Sequence, residues 1–153
     1  MPVFDSKEQY QVLMGTLRTL GVTRAIVNFS GGGDSGSVED IDFENSQNQP
    51  LDIGKHKLSW GETYDNFDPV TNRWTTVTDA GEMRSLDSIL TGICEKALEI
   101  SGLDWYNNEG GTGYLEILFL DDYPDIRLHV GIYETVSRPY QYKVGDCFEL
   151  EEV

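Results

Sequence analysis

Residues 114–120 and 126–133 both alternate apolar and polar side chains, and a short acidic loop separates them. Such alternation places Leu115, Ile117 and Phe119 on one face of a strand, and Ile126, Leu128, Val130 and Ile132 on one face of the next. The intervening residues 121–125 contain Tyr123-Pro124, a turn signal. The two stretches therefore read as an antiparallel hairpin with one covered face and one exposed face. If Phe119 opposes Ile126, Glu116 opposes His129 on the exposed face. That couple, with Arg127 nearby, has the parts of an acid–base pair and equally those of a cross-strand ion pair.

The apolar face of a hairpin needs a cover, and two helices are available for it. Ser85 caps a helix from Leu86 on. Its stripe is Leu86, Ile89, Leu90, Ile93, Cys94, Ala97 and Leu98, and Gly102 ends it. An earlier helix spans residues 7–20, with Ser6 and Gln9 as a capping box, Leu13, Met14 and Leu17 on its stripe, and Gly21 as its stop. Strands at residues 24–30 and 37–44 flank Gly31-Gly32-Gly33-Asp34-Ser35-Gly36. The second of these carries its apolar residues out of phase, which a β-bulge would correct. Residues 45–83 read as a long excursion anchored by Trp60, Tyr64, Phe67 and Trp74, with short strands at 58–60 and 73–77. The expected fold class is α+β in the order α-β-β-α-β-β. It comprises an antiparallel sheet of two hairpins with both helices on one face, in one domain over residues 1–153.

Charge restricts the partners. The net charge is −16, and it is unevenly spread. Residues 1–30 carry Lys7, Arg18 and Arg24 against Asp5 and Glu8, whereas residues 31–70 carry nine acids against Lys55 and Lys57. Such a field repels nucleic acid and anionic membranes and attracts basic surfaces. The blander alternative is that acidity only keeps the chain soluble. No apolar run approaches the about 20 residues that span a bilayer, and the first residues lack a signal-peptide pattern. A cytoplasmic location is expected. It agrees with two cysteines, Cys94 and Cys147, that are expected to stay unbridged.

No set of residues identifies a reaction. Gly33-Asp34-Ser35-Gly36 resembles the nucleophile motif of chymotrypsin-like proteases, but His56 and His129 both follow Ser35 and no oriented base is evident. A phosphate-binding loop needs a following helix and a Lys, and here a strand follows. The segment reads best as a wide glycine turn. Asp40, Asp42 and Glu44 alternate along one strand face, a solvated or partner-binding acidic surface that Asp121, Asp122 and Asp125 would extend. Neither zinc spacing nor a calcium loop is present, so no metal and no cofactor are expected. The glycine-rich stretch before residue 114 carries Trp105, Asn107, Asn108 and Glu109, which could hold a polar ligand or simply bond their own loop.

These two glycine motifs, Gly33-Asp34-Ser35-Gly36 and Trp105 with Asn107-Asn108-Glu109-Gly110, resemble a family of small bacterial, plasmid and phage proteins of unknown function. The resemblance covers about residues 20–44 and 86–142. It implies a mobile-element setting and a possible site shared by the two loops, with no catalytic residue. Together with the acidity, it leads to the expectation of a non-enzymatic acidic binding protein. Such a protein would engage a basic partner protein, as a phage inhibitor of a host nucleic-acid-binding defence complex of anti-CRISPR type would. The alternative is a small ligand-binding domain or enzyme built on Asp34, Ser35, Trp105, Asn107, Asn108 and Glu109. The oligomeric state stays open.

Overall fold

The structure is a computed structural model that describes residues 2–32, 35–61, 63–78, 81–103, 110–120, 123–132, 138–145 and 148–153. Helix α1 spans Lys7–Thr19. Ser6 Oγ accepts from Gln9 N at 3.1 Å, half of the predicted capping box. The other half differs. Gln9 Oε1 accepts from Asp5 N at 2.9 Å, and Gln9 Nε2 donates to the Gly61 carbonyl at 2.7 Å. A buried amide thus ties the N-terminal turn to a segment some fifty residues away. The helix stops at Gly21, whose φ of 81° is open to glycine. Gly21 N donates to Arg18 O and Val22 N to Leu17 O, which satisfies two of the last carbonyls of α1.

Strands β1 (Arg24–Gly32) and β2 (Ser35–Glu44) form the first hairpin. The out-of-phase pattern of β2 is resolved by a bulge at Glu39. Asn28 faces Asp40 while Phe29 faces Val38, so Val38, Ile41 and Phe43 all reach the apolar face. Helix α2 (Leu86–Ser101) follows its predicted course, with Ser85 as N-cap and Gly102 at φ 69°. Its seven stripe residues are all buried. Burial pushes the Cys94 thiol up to about 12, so it is an inert core side chain. Cys147 lies outside the described residues.

The α+β expectation of two hairpins under two helices is overturned. The described chain is mostly β, with ten strands and two helices. After α2 come β7 (Gly111–Leu120), β8 (Tyr123–Ile132), β9 (Arg138–Val144) and β10 (Leu150–Glu152). With β1 and β2 they make a six-stranded sheet, entirely antiparallel, in the order β10-β9-β8-β7-β1-β2. Ala25, Val27, Phe29, Leu115, Ile117, Ile126, Leu128 and Val130 line its buried face, in one core with both helical stripes.

The excursion accounts for the other four strands. β3 (Lys57–Trp60) pairs with β6 (Glu82–Ser85), and β4 (Thr63–Asp68) pairs with β5 (Arg73–Thr78). Leu58 and Trp60 anchor the first ribbon in the core. The carbonyls of Gly54 and His56 accept from the first amides of α2, giving those orphan donors partners. Sequence alone missed β4 and β6 because their largely polar stretches lack an apolar alternation.

The β7–β8 register also differs from expectation. Ile117 faces Ile126, Glu116 faces Arg127, Tyr114 faces His129 and Phe119 faces Pro124. The reason is that the ladder runs on to Leu120–Tyr123, so Tyr123 and Pro124 belong to the strand and not to a five-residue loop. Pro124 is tolerated there because β9 pairs with β8 only from Arg127 onward. A shift of two residues keeps every side chain on its predicted face.

One contact fixes how closely β1 and β7 meet. Phe29 faces Gly113, and its ring covers the place of a side chain. A Cβ on Gly113 would lie 1.9 Å from the His129 carbonyl oxygen and 2.8 Å from the Phe29 ring. Gly131, in contrast, has only the Thr112 carbonyl oxygen at 3.6 Å. Gly113→Ala should therefore destabilise the protein by about 2 kcal/mol or more through overpacking. Gly131→Ala should be neutral or slightly stabilising. Denaturant melts of the two variants check this, and equal effects would contradict it.

Candidate functional site

The second face of the sheet is covered by no described element. Its side chains come from the alternate positions of β1, β2, β7, β8 and β9, and the register sorts them into rows. The row nearest the glycine turn reads Ser37, Ser30, Thr112, Gly131, Pro139. The next reads Asp40, Asn28, Tyr114, His129, Gln141. Then come Asp42, Ile26, Glu116, Arg127, Lys143, and finally Glu44, Arg24, Leu118, Asp125.

Ion pairs organise the lower rows. Arg24 Nε donates to Glu116 Oε2 at 2.7 Å and its Nη1 reaches Glu44 Oε2 at 3.5 Å. The Glu116 hydrogen bond is the main cause that raises the Arg24 pKa, against a desolvation that lowers it. Arg127 Nε donates to Asp125 Oδ2 at 3.0 Å, while Asp125 Oδ1 is buried with no hydrogen-bond partner among the described residues. Two arginines thus neutralise the carboxylates in the middle of the face. Asp40 and Asp42 stand exposed on β2, the edge strand.

The upper rows carry aromatics. The Tyr114 and His129 rings stack at 4.4 Å and 26°. Gln141 Nε2 lies 3.0 Å from His129 Nδ1, a hydrogen bond whose direction is set by the imidazole tautomer. Desolvation is the main cause that lowers the His129 pKa, with Glu116 raising it and Arg127 lowering it further. Gly131 has no side chain, so a shallow trough of about 320 Å³ opens over Thr112, Tyr114, His129, Pro139 and Gln141.

The sequence-predicted site residues divide. Asp34, Trp105, Asn107, Asn108 and Glu109 lie outside the described residues, as do Asp121 and Asp122. Ser35 begins β2 opposite Gly32. The glycine turn is narrower than expected, because Gly31 and Gly32 pair with Gly36 and Ser35 and only Gly33 and Asp34 remain between the strands. Gly31 also pairs with Gly111, so the strand ends that flank the two glycine motifs are neighbours at one end of the sheet. Asp40, Asp42, Glu44 and Asp125 share the open face. The Glu116–His129 couple is not formed face to face, since each has a different opposite partner. Sequence reasoning missed Arg24, Tyr114 and Gln141. Alternation placed them on the polar face, but only the register brings them beside Glu116 and His129. The described residues hold no cluster of three or more metal-ligating side chains, and no helix among them is long and apolar enough to cross a membrane.

The His129 environment has a pH consequence. Its folded pKa lies below its ordinary value of 6.5, so the folded state favours the neutral ring. The associated stability is complete above 6.5 and is lost as pH falls through the lowered folded value. The melting temperature should drop over that window, and His129→Gln should flatten the drop. An identical pH profile in the variant would contradict the assignment.

No curated protein and no solved structure matches the chain. A model of a family of unknown function matches residues 6–141, a stretch that takes in α1, the β1–β2 hairpin, the excursion, α2, β7, β8 and the start of β9. The chain belongs to this family of unknown function, DUF6878.

Proposed function

We propose that the protein is a non-enzymatic binding protein whose open sheet face takes a basic protein partner. The observation that carries this reading is the placement of the acids. Asp40, Asp42 and Glu44 from β2, Glu116 from β7 and Asp125 from β8 all project from one uncovered face. Arg24, Arg127 and Lys143 are the bases there. A face of this sign in a chain of net charge −16 steers basic surfaces toward it. The partner we favour is a host complex with a nucleic-acid-binding groove, inhibited by a mobile-element protein that occupies the groove. The resemblance of the two glycine motifs to plasmid and phage proteins supports that setting.

A poly-arginine peptide serves as the first probe. Its affinity should fall steeply with salt. Asp40→Asn with Asp42→Asn should weaken it about tenfold, because these two carboxylates are exposed and outside the arginine network. Binding indifferent to both changes would sink the reading.

A second reading is a small-ligand site at the glycine end of the sheet. It is favoured by the Gly31 pairing with both Gly36 and Gly111, next to the Tyr114–His129 trough. A ligand found by thermal-shift screening of small polar compounds should lose its shift in both Asp34→Ala and Trp105→Ala. A ligand whose shift survives both variants binds elsewhere and counts against this site.

A further inference from the structure

The β4–β5 ribbon leaves Phe67, Val70 and Trp74 uncovered. Phe67 and Trp74 face each other across it, with ring centroids 5.3 Å apart. Trp74 is 71% exposed, Phe67 41%, and Val70 at the tip 92%. The tip is shaped: Asp68 Oδ1 accepts from Val70 N at 2.9 Å, and Asn72 adopts a φ of 55°. An ordered pair of exposed aromatics is an expensive feature on a free surface and a common one at the centre of protein interfaces.

The same chain carries a surface that fits this arm. A trough of about 450 Å³ runs along the outer side of α1, over Gln11, Val12, Gly15, Thr16, Thr19 and His56. No acid lines it. Val12 is 45% exposed within it, and a Cβ on Gly15 would meet nothing within 4 Å. Of the six large hydrophobic side chains exposed among the described residues, Phe67, Val70 and Trp74 are on the arm and Val12 is in this trough. Charge agrees as well. The arm segment 62–78 holds Glu62, Asp65 and Asp68 against Arg73, while α1 carries Lys7 and Arg18 against Glu8 alone.

We infer that the arm of one copy docks in the α1 trough of a second copy, with Trp74 as its anchor. The contact is heterologous, arm against trough, so it either closes reciprocally or runs head to tail. Repulsion between two copies of net charge −16 is screened beyond about 8 Å at physiological salt, which leaves the local contact to decide. This inference does not depend on the partner proposed for the open face, and the two fail separately. Self-association through the arm persists or strengthens at high salt, where binding of a basic partner is lost.

Sedimentation equilibrium across a concentration series tests it. The wild-type chain should associate reversibly. Trp74→Ala and Gly15→Glu should each weaken association by about thirty-fold or more, the size expected when an interface anchor is lost. Circular dichroism should show both variants folded, since neither position packs in the core. A mixture of the two variants is the decisive sample. The first keeps a working trough and the second a working arm, so together they should form a one-to-one complex that neither forms alone. A wild-type chain that is monomeric throughout would overturn the inference. So would Trp74→Ala associating like the wild type, or the two variants failing to pair.

Discussion

The pairing of β1 with β7 is the constraint on which the rest of the structure depends. It joins residues about ninety positions apart, in a continuous register from Arg24–Leu118 to Gly31–Gly111. Without it the sheet would be a two-stranded hairpin and a separate C-terminal meander, and an isolated two-stranded hairpin is marginal in water. The pairing is allowed by a local feature, the absence of a side chain at Gly113, which lets the Phe29 ring close over the β7 backbone. Once formed, it fixes the rows of the open face and brings the flanks of both glycine motifs together. Closing so long a loop costs entropy that the ladder and the shared core must offset.

Much of this was legible in the sequence, and what was not follows a physical pattern. Both helices could be read because their stripes and caps are local signals. The bulge could be read because Val38 falls out of phase with Ile41 and Phe43. The β7–β8 register could not. Alternation fixes a face but is unchanged by a shift of two residues, so Glu116 was placed opposite His129 when it faces Arg127. The excursion shows a further limit. Trp60 and Trp74 both lie in short, largely polar stretches of the excursion, yet one is 5% exposed and the other 71%. Composition identified aromatic residues there and had no means to separate an anchor from an exposed arm.

The candidate site was legible to the same degree. The shared face of Asp40, Asp42 and Glu44 follows from period two alone. The network that neutralises Glu44 and Glu116 through Arg24 needs three strands in register, which no local pattern encodes. Likewise, the stacked Tyr114–His129 pair is a product of strand order.

Net charge by itself therefore says little about where this protein is sticky. On the open face, Arg24 and Arg127 hold the central carboxylates in pairs, and Asp40 and Asp42 are left at the sheet edge. Carboxylates at an edge do two things. They attract a basic surface, and they prevent the edge of one copy from adding to the edge of another, because like charges would be brought into one ladder. The free edge of β2 is further shortened where Pro50 bridges to Glu44 and Leu51 N donates to Phe43 O. Association between copies is thereby directed away from the sheet. It falls to the exposed apolar side chains of the Trp74 arm and to the α1 trough, which no acid lines. The acidity and the aromatic arm are then complementary parts of one arrangement, the first setting where copies cannot meet and the second where they can.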